Sequence, residues 1–243
     1  MEVLQKSKHD IISGLYEGTE SLSHSSLNEF TKSPRHFINY KTGKKERTPA
    51  MTFGSLVHCM ILEPEEVEAR YIPEPEDAPR RPSIRQIQAK KPSESSLESI
   101  AFWTDFEKQA QGKEIVSAAD WATAERMKEA VYANEASRFV LDQVEETEVK
   151  IEWQSFGFSW RGYIDGKGQK VILDLKTIRD ATPRMVERAI LYDGYNRQAA
   201  HYLKGGGFPK HDYYIVAVDR HCRGSDPGAN QLPSGPDDRG PWG

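Results

Sequence analysis

Two acids and a base stand close together between Gly162 and Thr177. The runs Gly162-Tyr163-Ile164-Asp165 and Val171-Ile172-Leu173-Asp174-Leu175-Lys176-Thr177 are apolar, and turn formers Gly166 and Gly168 lie between them. That pattern predicts two short strands joined by a turn. Strand side chains alternate between faces, so Ile172, Asp174 and Lys176 share one face while Val171, Leu173 and Leu175 share a core face. A charge on so apolar a strand is costly unless it is paired or bound to a metal. Asp165, at the end of the neighbouring strand, can come close to Asp174. Two carboxylates held together repel each other and attract an oxygen-preferring divalent cation, Mg²⁺ or its substitute Mn²⁺. Lys176 beside them can stabilise phosphate charge or orient an attacking water. The set suits metal-assisted hydrolysis of a phosphodiester; the plainer reading is an ion pair between Asp174 and a nearby base.

Two helices are expected to position further groups. Phe53 to Pro64 has Leu56, Met60 and Ile61 at helical spacing and a proline at its end, and it carries His58. That histidine reads either as a core residue or as a ligand. Tyr195 to Tyr202 also suits a helix, with Tyr195, Gln198 and Tyr202 on one face. Glu148, in the acidic run Glu145-Glu146-Thr147-Glu148, is either a supporting acid or a solvated strand charge. The Thr177 hydroxyl could back the site or be ordinary strand filler.

Asp165 followed by Asp174-x-Lys176 resembles the signature of the PD-(D/E)xK nuclease superfamily. Gly54-Ser55-x-x-His58 is similar to the RecB-like helix whose histidine ligates metal, and Gln198 with Tyr202 resembles the Gln-Tyr motif that follows. The order of these pieces looks like the exonuclease VIII (RecE-type) branch, common in phages and prophages. Leu22 to Phe30, Ser33 to Phe37, Gly112 to Ser117 and Asp120-Trp121 are similar to that branch too, so the resemblance spans residues ~20 to ~220. It implies His58, Asp165 and Asp174 as metal ligands, and Lys176 as the catalytic base-like residue. Gln198 and Tyr202 would support the site or the DNA. It further implies exonucleolytic digestion of linear duplex DNA from 5′ ends, leaving 3′ single strands. The partners implied are duplex DNA ends, a RecT-type annealing protein and further copies of the chain. A cytoplasmic location in a bacterial host follows from the same resemblance. Two rival readings stand beside it: a nuclease-fold DNA-binding protein with little or no catalysis, and a RecB-like nuclease of other polarity.

Composition bounds the rest. The chain has 243 residues, 37% hydrophobic and 29% charged, compatible with one sizeable globular domain. It has no apolar run near the ~20 residues needed to span a bilayer, and the opening residues lack the apolar stretch of a secretory signal. Two cysteines, Cys59 and Cys222, fit a reducing compartment and exclude a four-cysteine iron–sulfur cluster. A net charge of −4 means that any DNA must be held by local basic clusters. The candidates are Lys41, Lys44, Lys45 and Arg47, then Arg179, Arg184, Arg188 and Arg197, each of which singly reads better as a solvated charge.

The expected architecture is mixed α/β (α+β), a small sheet flanked by helices with the catalytic groups on central strands. Residues 1–20 read as an N-terminal arm, 21–220 as the domain, and 221–243 as a disordered Gly/Pro-rich tail. That tail departs from the RecE pattern, which continues with a further strand and helix, and truncation would account for it. Within the domain, 25 to 40 reads as a helix capped or broken near Ser33-Pro34, with Leu27, Phe30 and Phe37 inward. Residues 73–95 read as a mobile loop, and helices are expected at about 96–111, 118–132 and around Phe139-Val140. Strands follow at 147–153, 156–164 and 170–176, the first two a hairpin joined at Gln154-Ser155. Helices at 182–192 and 195–204 precede a last strand, 213–218.

Overall fold

The computed structural model describes residues 7–17, 20–43 and 47–222. Its helices are α1 (Lys8–Glu17), α2 (His24–Lys32), α3 (Pro34–Thr42), α4 (Pro49–Leu62), α5 (Val67–Arg70), α6 (Ile84–Ile87), α7 (Glu94–Ala110), α8 (Ala118–Ala133), α9 (Glu135–Leu141), α10 (Pro183–Tyr192) and α11 (Tyr195–Gly205). The strands are β1 (Ser21–Leu22), β2 (Tyr71–Pro73), β3 (Glu114–Val116), β4 (Glu146–Ser155), β5 (Phe158–Lys167), β6 (Val171–Ile178) and β7 (Asp212–Asp219). The result is a small mixed sheet flanked by helices, as the alternating patterns predict. Lys44, Lys45 and residues 223–243, which include most of the expected tail, lie outside the described residues.

One sheet positions the acids. β4 and β5 form an antiparallel hairpin, β6 is antiparallel to β5, and β7 runs parallel to β6. The hairpin turns at Phe156-Gly157 rather than at Gln154-Ser155. Both residues have positive φ, 53° and 77°, which is what a two-residue turn between twisted strands demands, and Gly157 supplies one at no steric cost. β5 meets β6 at two rungs alone, Gly166↔Leu173 and Lys167↔Ile172, while β1 pairs the other end of the same edge at Ser159 and Trp160. The sheet therefore forks along Arg161 to Asp165.

Apolar residues fill both sides of the sheet. On one side Leu173, Leu175, Val216 and Val218 pack with Leu56, Val57, Met60 and Ile61 of α4 and with Ala124 and Met127 of α8. On the other, Ile151, Ile164 and Ile172 pack with Tyr202 of α11. Gly162 is required there: an added Cβ would lie 2.5 Å from the Tyr202 ring.

Several expectations need correction. Residues 8–17 are not an arm: α1 packs on α3 and β5, with Ile11 1% exposed, because Ile11, Gly14 and Leu15 recur at helical spacing. The break expected near Ser33-Pro34 is present: Ser33 ends α2 while its side chain caps α3 through the His36 N–H. Phe30 is exposed and meets Phe37 edge to face at 5.9 Å instead of pointing inward. Segment 73–95 holds α6 and is tied to α7: the Trp103 indole donates to the Pro79 carbonyl at 2.8 Å, and Arg81 lies 4.0 Å over the same ring.

Two buried histidines give the fold an acid limit. The Nε2 atoms of His24 and His201 are buried without a hydrogen-bond partner among the described residues. Burial, reinforced by His201, holds the His24 imidazole down to about 4, and burial lowers His201 too. Unfolded, both revert to about 6.5. Above that pH neither state is charged; between about 6.5 and 4 the unfolded chain alone takes up the His24 proton, and His201 acts in the same direction, so stability falls as pH falls. His24 is expected to contribute roughly 3 kcal/mol to that loss. Urea midpoints measured from pH 7 to 4.5 should fall, and His24→Gln should flatten the curve; a flat wild-type curve would contradict this.

Candidate active site

The sheet fork and the two helices above it assemble the site. α4 is apolar almost throughout, with Phe53, Leu56, Val57, Cys59, Met60 and Ile61 buried, and His58 is turned toward β5. Its Nδ1 stands 3.8 Å from Asp165 Oδ2. Because β5 has left β6 at this point, Asp165 takes over a ladder role: its Oδ2 accepts the Leu175 N–H at 2.8 Å. Glu148 sits across β4 from Asp165 at the rung missing from the hairpin register, with φ 51°. A left-handed glutamate in a strand costs on the order of 1–3 kcal/mol and marks a place where the surroundings over-determine the backbone. One ligand atom each from His58, Glu148 and Asp165 lie within 4.8 Å of one another. Glu148 thus stands beside the expected ligands rather than as an isolated strand charge.

Asp174 enters from β6 and is 2% exposed. Its Oδ1 accepts from Lys176 Nζ at 2.7 Å and from Gln198 Nε2 at 3.2 Å, and Lys176 Nζ also reaches Gln198 Oε1 at 3.3 Å. Its Oδ2 is buried with no hydrogen-bond partner among the described residues. An orphaned buried carboxylate oxygen is costly. A bound cation would satisfy it, as would the Tyr213 hydroxyl beside Asp174, itself buried without a hydrogen-bond partner among the described residues. Tyr202 lies behind Gln198 in the second apolar cluster, its hydroxyl near Gln198 and the Tyr163 backbone. It braces the site from within and does not face solvent.

Electrostatics separate the roles. Burial, then the charge of Lys176, holds His58 down to about 4, so its imidazole is neutral, the form that binds metal. Burial pushes both Asp165 and Asp174 up, and Lys176 opposes this in each case. Partial desolvation raises Glu148 although its side chain is exposed at the rim, with the Asp165 charge adding to it. His58, Glu148 and Asp165 form the close group, and Asp174 with Lys176 adjoins it within electrostatic reach, a donor set that fits a hard divalent cation.

One residue escaped the sequence reading, and the partner of another. Tyr213 of β7 lies beside Asp174, and burial together with the nearby carboxylate drives its hydroxyl upward. Its placement depends on the parallel register Ile172↔Tyr213, for which there is no local signal. Tyr195 packs its ring 5.0 Å from Lys176 Nζ; its face on α11 was legible, its partner was not. Among the expected DNA contacts, Lys41 is occupied by Glu20 at 2.7 Å and Arg47 by Glu114 at 3.0 Å. Arg197 reaches Asn28 Oδ1 at 3.1 Å. No described helix is long and apolar enough to cross a membrane.

The comparisons agree with this geometry. The profile of a family described as "PDDEXK-like domain of unknown function (DUF3799)" matches residues 23–221. A crystal structure from Eubacterium rectale described as "Putative exonuclease" matches with a TM-score of 0.52 at 18% identity, over 90% of this chain and 74% of that one. At that identity the likeness concerns the fold. None of the curated proteins compared with the chain matches it. A family profile across most of the chain, on a fold that places an Asp, an Asp-x-Lys and a histidine together, makes this chain a member of the PDDEXK-like domain family.

Proposed function

We propose that the protein is a Mg²⁺-dependent exodeoxyribonuclease of the RecE type, acting on linear duplex DNA from 5′ ends. The observation that carries this reading is the buried Asp174, whose Oδ1 is held by Lys176 and Gln198 while Oδ2, beside Asp165, has no hydrogen-bond partner among the described residues. His58, Asp165 and Asp174 would hold the cation, with Glu148 next to them. When bound, a divalent ion of this kind activates water and neutralises charge on a phosphate. The chain's own groups do the rest. Hydrolysis joins a water oxygen to phosphorus and releases the sugar oxygen, so charge grows on the phosphate in the transition state. Lys176 spends two of its three N–H donors on Asp174 and Gln198, which fixes the ammonium; the third is available to a water or a phosphate oxygen. Gln198 keeps that lysine from swinging away, and Tyr202 keeps Gln198 in place.

The resemblance supplies the polarity and the partners: 3′ single strands handed to a RecT-type annealing protein, with further copies of the chain in the assembly. A linear duplex labelled at the 5′ or the 3′ end, incubated with Mg²⁺ with and without EDTA, tests the reading. Early release of 5′ label, abolished by EDTA, is expected. His58→Ala should slow it by about 10- to 100-fold with little change in melting temperature. DNA binding without cleavage would favour a non-catalytic nuclease-fold protein, and early 3′ release would favour a RecB-like enzyme of other polarity.

A further inference from the structure

A cavity of about 720 Å³ opens beside the metal-binding cluster, between α4, α8 and the ends of β6 and β7. It is lined by Phe53, Arg126, Thr177, Arg179, Arg220 and His221, among others. Its tie to the active site runs through the β6 backbone and α4, because the Thr177 side chain takes the sheet face opposite Asp174 and Lys176. Thr177 follows Lys176 on β6, and Arg179 lies two residues further, about 7 Å along a strand. The roof is α4, the helix that carries His58: a Cβ on Gly54 would lie 3.5 Å from the Thr177 hydroxyl.

The charge inside is one-sided. Arg220 is fixed from two directions, its guanidinium 3.7 Å over the Phe53 ring and 2.5 Å from Asp120. Arg126 bonds a neutral hydroxyl and a carbonyl on its own helix, Thr123 at 3.0 Å and Ala122 at 3.2 Å. Neither Arg126 nor Arg179 has an ion pair with a described carboxylate. The nearby Asp219 carboxylate is engaged by the backbone N–H groups of Ala181 and His221. Two guanidinia without a described ion pair, a stacked third and the Thr177 hydroxyl converge as donors over a mixed floor that includes Ala50, Phe53 and Ile178. The converging donors suit a phosphate group, which planar guanidinia recognise through paired N–H donors.

We propose that this cavity is a phosphate-binding site for the DNA strand, separate from the phosphate at the metal-binding cluster. The inference rests on the nucleic-acid reading of the active site. It accounts for how a chain of net charge −4 can hold DNA, since affinity comes from local neutralisation of phosphates. The phosphate could belong to the strand interior or to a 5′ terminus.

The test measures binding of a linear fluorescent duplex, 5′-phosphorylated or 5′-hydroxyl, in EDTA so that no cleavage intervenes. The double variant Arg126→Gln, Arg179→Gln should weaken binding by roughly 10-fold or more. It should also reduce the slope of log affinity against log salt by about 0.9, the value for one lost phosphate contact. Arg126→Lys, Arg179→Lys should restore the slope, which separates charge from misfolding. A deficit with both duplexes assigns an internal phosphate, and a deficit confined to the phosphorylated duplex assigns the terminal one. Wild-type affinity and slope in the double variant would overturn the proposal while leaving the nuclease reading intact. Pocket-dependent binding by a wild-type protein that cuts nothing in Mg²⁺ would uphold the cavity and remove the nuclease reading. A wild-type chain that binds neither duplex overturns both.

Discussion

Asp174→Asn is expected to reduce DNA cleavage by on the order of 10²- to 10³-fold or more, the scale seen when one preorganised electrostatic group is removed. The metal-free fold should hold its melting temperature or gain slightly. The two halves have one cause. Burial already pushes the Asp174 carboxyl up, and Oδ2 has no hydrogen-bond partner among the described residues, so ionising it costs the metal-free fold free energy. Asparagine keeps the volume, and its carbonyl can still accept from Lys176 and Gln198, but it removes the charge that a cation needs. Initial rates on linear duplex and melting curves in EDTA decide the matter. Cleavage within a few-fold of wild type would take Asp174 out of the site, and a collapsed melting temperature would make its role structural.

Lys176→Met should be nearly as damaging, with a loss of about 10²-fold or more near neutral pH and a profile displaced toward alkaline pH. Lys176 lowers both Asp165 and Asp174. Without it, both carboxyls rise further and stay protonated to higher pH. His58, which Lys176 also holds down, would rise as well and keep its proton longer. All three changes have the same sign: the ligand-competent forms appear only as pH increases. Partial recovery at high pH would show that Lys176 acts through charge balance. A uniform loss at every pH would show that its free N–H acts on water or phosphate. A rate unchanged at neutral pH would exclude both roles.

Much of this arrangement was legible because it is periodic. Alternation along Val171 to Lys176 assigned faces that the structure reproduces, and the spacing of Leu56, Met60 and Ile61 located α4. The α11 face of Tyr195, Gln198 and Tyr202 followed from the same helical arithmetic. What was illegible is non-local or strained. Nothing in Glu145-Glu146-Thr147-Glu148 announces that the last acid adopts φ 51° and turns toward Asp165. Tyr213 reaches Asp174 only because β7 lies parallel to β6 in one register. Arg126 and Arg220 belong to different elements that meet only in the folded chain. Phe30 failed for a different reason: a large apolar residue on a helix need not face the core when a neighbouring ring, here Phe37, can cover part of it.

The fork between β5 and β6 gives the Leu175 amide an unusual owner. On the β5 side, where a neighbouring strand's carbonyl would ordinarily accept its N–H, a carboxylate oxygen of Asp165 does so instead. Its exchange with solvent deuterium is thereby coupled to whatever happens to that one acid. Protonating Asp165, or withdrawing its oxygen toward a cation, should alter the Leu175 exchange rate. The Leu173 amide, next to an intact rung, should remain indifferent. A single pair of backbone amides, two residues apart on one strand, can therefore serve as probe and internal control for the state of the site in solution, with no substrate present.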